Sequence, residues 1–240
     1  MKVQNSSGMF AKSDTPTTVF AMELLDNLPH DKITSCGTSG AILQGEIISS
    51  GQKNPEDSSL RRKENFIPLS DELLKYILSV QPKYLPTKTL QYGCEWIPSV
   101  ACGVLKKIIQ DRPNSSVVLA DFDWLPAPEI ESKSVQKRQS LKGSFEPLIT
   151  CMDDIDHVCY MTAPPLCDVL FPTDFSLLAG FSEKLLEDNN INSSVNVMKQ
   201  SEFLSSFGQE EVENTRSWLT GYTPLLEDFT NCSVMTISRN

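Results

Sequence analysis

Beginning at Trp96, apolar residues fall at Ile97, Val100, Ala101, Val104, Leu105, Ile108 and Ile109. Spacings of three and four lay one apolar stripe along a helix. Pro98 suits the first turn, where no backbone donor is lost, and Pro113 prevents continuation. After the Asn114-Ser115 turn comes Ser116-Val117-Val118-Leu119-Ala120, a β-branched apolar run that reads as a buried strand. It ends in Asp121-Phe122-Asp123-Trp124. Helix, tight turn, buried strand and acid at the strand's end form a repeat unit of an open α/β sheet.

A second strand of this kind is predicted at Thr17-Thr18-Val19-Phe20-Ala21-Met22, with Glu23, Asp26 and Asn27 directly behind it. Ala41 to Ile48 reads as another short strand. Ser70-Asp71-Glu72 caps a helix running to about Val80, with Leu73, Leu74, Ile77 and Leu78 on its buried face. Further on, Asp174 to Leu186 reads as a helix and Ser194 to Met198 as a strand. Glu202 to Phe207 is a short helix stopped by Gly208. Glu211 to Leu219 is a helix stopped near Gly221, and Cys232 to Ser238 a final strand. Two polar stretches, Ser49 to Asn65 and Ala127 to Pro147, interrupt this alternation and read as long loops or insertions.

Composition narrows the function. The 240 residues are 40% hydrophobic and 22% charged, as in a globular protein with a real core. The net charge of -10 is unevenly placed. Residues 1–150 carry 17 acids and 17 bases, whereas residues 151–240 carry 14 acids and 4 bases. Nucleic acid and anionic membrane surfaces are therefore excluded as general partners, because both need clustered cations. No stretch approaches the roughly 18 consecutive apolar residues of a membrane span. Residues Met1 to Asp14 show neither a secretory signal nor an Arg-rich presequence. Seven cysteines, an odd number, read as free buried thiols rather than as a disulfide framework.

In open α/β sheets the ligand crevice lies beyond the carboxyl ends of the strands. The two clearest strands deliver Glu23 and Asp26, and Asp121 and Asp123, to that edge. A carboxylate there can accept from a ribose or grip a guanidinium bidentately; it can equally cap the following turn for local reasons. Cys151, Cys159 and Cys167 recur every eight residues around Asp153, Asp154, Asp156 and His157. That spacing gives no local chelate of the paired zinc-ligand type, so no metal is expected. The eleven glycines are scattered, and no G-x-G follows a strand.

Several short segments, in order, resemble one family. Ala21, Glu23, Asp26, Leu28 and Pro29 fit its A-N-E-F-F-D-A-L-P motif, with Met22 where Asn is usual. Leu119-Ala120-Asp121-Phe122 is similar to its fifth-strand signature D-Y-G, with Asp123 replacing the glycine. Cys167-Asp168-Val169 and Pro172-Thr173-Asp174-Phe175-Ser176 resemble A-D-I-T-x-x-V-D-F-S. Gln200-Ser201-Glu202-Phe203-Leu204 with Phe207-Gly208 resembles Q-x-x-F-L-x-x-L-G, and Leu219-Thr220-Gly221-Tyr222 with the closing strand completes the set. These are segments of the MidA-type S-adenosylmethionine-dependent methyltransferases, the mitochondrial complex I assembly factor 7 group. The family's histidine-containing segment after the fifth strand has no match.

The resemblance implies an α/β, class I methyltransferase-like (Rossmann-like) sheet of order 3-2-1-4-5-7-6. Its first strands and glycine-rich loop have no counterpart here. Residues 1–16 are then a leader, and residues 17–240 the C-terminal part of the domain, with insertions at about 49–65 and 127–147. The implied activity is symmetric dimethylation of arginine on a complex I subunit in mitochondria, with S-adenosyl-L-methionine as cofactor. Glu23 and Asp26 are the candidate catalytic residues, and Asn27, Asp121, Asp123 and Trp124 line the expected crevice. A non-catalytic assembly protein, binding a partner through the acidic last third, is the competing expectation. On the methyltransferase expectation the chain is a truncated form. Its coding sequence should continue upstream of Met1, in frame, with a strand and a G-x-G turn; sequencing that finds neither refutes the truncation.

Overall fold

The computed structural model describes residues 12–36, 39–50, 61–82, 94–126, 146–151, 156–157, 159–164 and 166–239. In chain order come β1 (Thr17–Met22), a 3-10 turn (Leu25–Asn27), β2 (Asp31–Ser35), β3 (Ile42–Ser50), β4 (Arg61–Pro68) and α1 (Glu72–Val80). Then follow β5 (Glu95–Ile97), α2 (Ser99–Asp111), β6 (Ser115–Phe122), β7 (Leu148–Thr150), β8 (Asp156–His157) and β9 (Asp168–Leu170). Last are α3 (Phe175–Asp188), β10 (Ser193–Lys199), α4 (Gln200–Phe207), α5 (Gln209–Asn214), α6 (Pro224–Glu227) and β11 (Cys232–Arg239). Two units divide these elements: residues 1–26, 100–124 and 173–240 form one, and residues 27–99 and 125–172 the other.

The first unit is built on a four-stranded sheet of order β1-β6-β11-β10. β1 runs parallel to β6, whereas β11 is antiparallel to both β6 and β10. This is the order, four-five-seven-six, that the resemblance implies for the last strands of a class I sheet. β6 is central, and its Val117, Leu119, Ala120 and Asp121 are buried. β11 buries Val234, Met235 and Ile237 beside it. Helix α2 contributes the predicted stripe: Ala101, Leu105, Ile108 and Ile109 are all buried. Helix α3 starts where Asp174 accepts a hydrogen bond from the backbone N–H of Leu177 at 2.9 Å, a side-chain N-cap. Its Phe175, Leu177, Leu178, Phe181 and Leu185 are buried. Among the described residues β1 has no partner on its outer side, and Phe20 and Met22 stand 68% and 61% exposed.

The second unit holds an antiparallel sheet of order β4-β3-β2-β5, a smaller one of order β8-β7-β9, and α1. Asp71 caps α1 by accepting from Leu74 N at 2.8 Å. Leu74, Ile77 and Leu78 are buried as predicted, while Leu73 is only half-buried. Gly45 on β3 is a position of close approach, since a Cβ there would stand 3.3 Å from the Lys32 carbonyl on β2.

Four expectations need correction. Ser49–Ser50 and Arg61–Asn65 are not loop: they lie in β3 and β4, which pair from Leu43↔Pro68 to Ser50↔Arg61. Their polar composition hid them, because ladder hydrogen bonds rather than apolar burial hold such a ribbon. Residues 51–60, and 127–145 of the second insertion, lie outside the described residues. Trp96 and Ile97 belong to β5 rather than to the helix, because they pair with Lys32 and Asp31 of β2. The helix expected over Glu211–Leu219 is the shorter α5, ending at Asn214. There the Ser217 N–H donates to the Tyr222 carbonyl at 2.8 Å instead, around Gly221 at φ 73°, a left-handed geometry suited to glycine. Finally, the cysteines are not all free: Cys151 and Cys167 are joined in a disulfide, whereas Cys94, Cys102, Cys159 and Cys232 are free thiols.

Phe181 is fully buried in the first unit. Phe181→Ala is expected to destabilise it by about 3–5 kcal/mol, through lost transfer energy and the cavity left behind, as a lower midpoint in urea unfolding.

Candidate functional site

The carboxyl ends of β1 and β6 lie side by side, because Met22 pairs with Ala120 in the parallel ladder. The chain leaves β1 through Glu23, whose N–H still donates to the Ala120 carbonyl at 3.0 Å. Glu23 then takes φ 50°, a left-handed conformation uncommon outside glycine. That turn sends the following residues back toward β6. Glu23 itself is exposed, and Leu25 and Asp26 are buried.

Asp121 receives the returning chain. Its Oδ2 accepts from the N–H groups of Leu25 at 2.6 Å and Asp26 at 3.2 Å, and its Oδ1 from Phe122 N–H at 2.8 Å. Burial drives its pKa up to about 6, helped by the nearby Asp26 charge and opposed by the three N–H donors. Desolvation therefore wins over hydrogen bonding here.

Asp123, the residue after β6, is tied in the other direction. Ser233 Oγ of β11 donates to its Oδ2 at 2.6 Å, and Lys199 at the end of β10 forms an ion pair with the same oxygen. Lys199 also donates to the Thr230 carbonyl at 3.3 Å. The Trp124 carbonyl accepts from Asn231 Nδ2 at 3.1 Å. Cys232 reports the convergence of these acids. Its thiol is pushed up to about 11 by burial and then by the charges of Asp121, Asp123 and Glu23, with Lys199 pulling the other way.

The structure thus brings Glu23, Asp26, Asp121 and Asp123 to one end of one sheet. Trp124 adjoins them in the same unit, whereas Asn27 is exposed and falls in the second unit. Both oxygens of Asp121 and Oδ2 of Asp123 are occupied by the fold. Of the candidate carboxylates only Glu23 is exposed; Asp26 is buried, and Asp123 is half-buried. Sequence reasoning missed Lys199 and Ser233. Lys199 carried a signal, being one of only four cations beyond residue 150 and following a predicted strand.

A second cluster escaped the sequence altogether. In the second unit, Lys32 Nζ donates to Glu64 at 2.9 and 3.1 Å and to Tyr160 Oη at 3.1 Å. It also lies 5.3–5.8 Å from the ring centroids of Trp96, Tyr160 and Phe66, within cation–π range. Burial opposes the ammonium charge, but Glu64 and Tyr160 outweigh it and hold Lys32 above its usual pKa. Burial, with the Glu64 carboxylate, lifts the Tyr160 hydroxyl to about 12. His30 stacks on Phe171 with centroids 4.1 Å apart, and burial lowers it to about 4, leaving the ring neutral. Histidine acid–base chemistry at His30 is thereby disfavoured.

Against known proteins, residues 6–190 match the family described as "Putative S-adenosyl-L-methionine-dependent methyltransferase". Two crystal structures of proteins from Burkholderia thailandensis share the fold. One is an uncharacterized superfamily member, 12% identical at a TM-score of 0.57, with 92% of this chain and 55% of that one covered. The other, bound to S-adenosyl-homocysteine, is 13% identical at a TM-score of 0.57, with coverages of 95% and 55%. The chain thus spans 55% of the length of either solved protein. No curated protein matches it in sequence.

Asp121→Ala is expected to cost about 2–4 kcal/mol, because it leaves buried N–H groups without an acceptor; chemical denaturation reads this directly. Because burial raises the folded carboxyl to about 6 from its ordinary 3.8, its contribution to stability is full below pH 3.8 and is lost as pH rises through 6. A carboxyl 13C NMR titration should give a midpoint near 6 for Asp121, and a midpoint near 4 would refute the desolvated reading.

Proposed function

The chain belongs to that family, and from this premise we propose that it serves methyl transfer to arginine side chains of a protein, a subunit of mitochondrial respiratory complex I. The observation that carries this reading is the acidic end of the β1–β6 pair, where the exposed Glu23 stands beside carboxylates that the fold already uses. S-adenosyl-L-methionine, when bound to such an enzyme, supplies a methyl group on a sulfonium that leaves readily. What remains for the protein is to align and orient the acceptor, which a carboxylate does well for a planar guanidinium. Glu23 is assigned that task. Asp26 assists it from the turn, and Trp124 offers a ring on which the substrate can stack.

The residues present fit the acceptor side of the reaction better than the cofactor side. No described glycine follows β1 or β6, so these strand ends offer no glycine turn for the adenosyl group. Among the described residues the outer edge of β1 has no partner, and Phe20 and Met22 are exposed; this supports the further reading that additional strands complete the sheet and the cofactor crevice in the functional enzyme. The mitochondrial location belongs to the same proposal.

A second reading is favoured by the last third of the chain. Its 14 acids against 4 bases accompany large exposed apolar side chains, Phe207 at 71%, Trp218 at 93% and Leu219 at 75%. Isolated exposed apolar residues are ordinary, but aromatic ones in an acidic setting suit the docking of a basic partner. On this reading the protein is an assembly factor without catalysis.

Calorimetric titration with S-adenosyl-L-methionine separates the two, since micromolar binding refutes the adaptor and no binding at millimolar ligand refutes catalysis by this form. In a catalytically competent form, Glu23→Gln should lower arginine methylation by about 10–100-fold, the loss of one charged hydrogen-bond pair. Unchanged methylation removes Glu23 from the site.

A further inference from the structure

In the second unit, three strands bring two sulfurs and an imidazole to one place. Thr150 of β7 pairs with Asp168 of β9. Cys151 and Cys167, the next residues beyond that pair, therefore face each other with Cα atoms 4.3 Å apart. A separation of about 4.5 Å marks the narrow pairs of an antiparallel ladder. On the other side of β7, Ile149 pairs with His157 of β8. Residues 149 and 151 share a face of the strand, so His157 is the diagonal neighbour of Cys151. Its Nε2 lies 3.3 Å from Cys151 Sγ. One donor atom from each of Cys151, His157 and Cys167 falls within 4.8 Å of the other two, and all three residues are half-buried.

We propose that Cys151, His157 and Cys167 form a transition-metal site of the zinc type when the two sulfurs are reduced, and that their disulfide is the metal-free, oxidised form of that site. A disulfide uses two residues and leaves the imidazole against the sulfur without a purpose; a metal site uses all three. Thiolate and imidazole are the donors that zinc prefers, and donors held about 2.0–2.3 Å from one ion stand within about 4 Å of each other. The two sulfurs, bonded in the oxidised form, part on reduction toward that spacing. Three protein ligands leave a fourth position, which water can fill. The eight-residue recurrence of cysteines misleads here, because Cys159 is not among the three grouped residues and His157 is. Strand pairing, not local spacing, assembles the ligands.

The interconversion balances. A dithiol reductant gives the Cys151–Cys167 bond two electrons and two protons and itself closes to a cyclic disulfide, leaving two thiols on the protein. Zinc binding then releases both protons to solvent, and two thiolates with a neutral His157 hold the ion.

The test uses the full chain, treated with a dithiol, freed of it anaerobically and titrated with Co2+ as a spectroscopic stand-in for zinc. The expected result is one equivalent bound, with a sulfur-to-cobalt charge-transfer band and the visible bands of tetrahedral coordination, all removed by added zinc. Cys151→Ser and Cys167→Ser should each abolish the charge-transfer band or halve it, and His157→Ala should weaken binding by at least about tenfold. Cys36→Ser should bind as the unaltered protein does, and the oxidised chain should bind no cobalt. A reduced, folded chain that shows no charge-transfer band overturns the proposal without recourse to any variant. Equal binding by Cys167→Ser and the unaltered chain overturns it as well. None of these readouts involves methyl transfer.

Discussion

The first unit depends on one buried carboxylate. Asp121 sits at the end of the central strand with both oxygens committed, and two of its three donors come from a turn 95 and 96 residues earlier in the chain. Such a group is costly to desolvate, as its raised pKa records. The turn cannot keep its conformation without an acceptor for those N–H groups. The same tie fixes where Glu23 emerges, since the positive φ at Glu23 is affordable only when the following residues are anchored. A structural acid thus positions an exposed one, and strain at the strand end is retained where the candidate chemistry lies.

Around that point the acids divide by partner. Asp121 is satisfied by backbone, whereas Lys199 and Ser233 both engage Oδ2 of Asp123. Their charges are nonetheless felt by the Cys232 thiol, so the end of the sheet is an electronegative region whatever each acid does locally. Its field suits a cationic acceptor such as a guanidinium and repels an anion. Cys102 and Cys232 are unsuited to act there as nucleophiles, since burial raises both thiols well above the range in which thiolate forms.

Much of the first unit was legible because its elements declare themselves by apolar burial. β1 matches its predicted span residue for residue, and α3, β10 and β11 differ from theirs by a residue or two at an end. The order of the last strands followed from short motifs in sequence. The second unit was far less legible. β2 and β9 are short, and the polar ends of the β3–β4 ribbon carry no apolar alternation, so the ladder that forms them leaves no periodic trace. The clusters at Lys32 and at Cys151 assemble from residues scattered along the chain, and only the tertiary fold joins them. At the candidate site the acids could be placed on one edge from sequence. Which of them the fold would consume could not, because that depends on backbone donors arriving from another strand.

The pairing of β1 with β6 also governs the order in which this chain can fold. β1 is made early, yet the strand that hydrogen-bonds to it begins at Ser115, with most of the second unit's sequence in between. The β1–β6 pair cannot form until β6 has left the ribosome. Parallel pairs of such long sequence separation close slowly, since the loop entropy is lost before any contact repays it. Throughout that interval β1 lacks the partner it has in the finished sheet, and a strand without its partner can find a wrong one. Yield on expression is therefore sensitive to this one strand as well as to the finished fold.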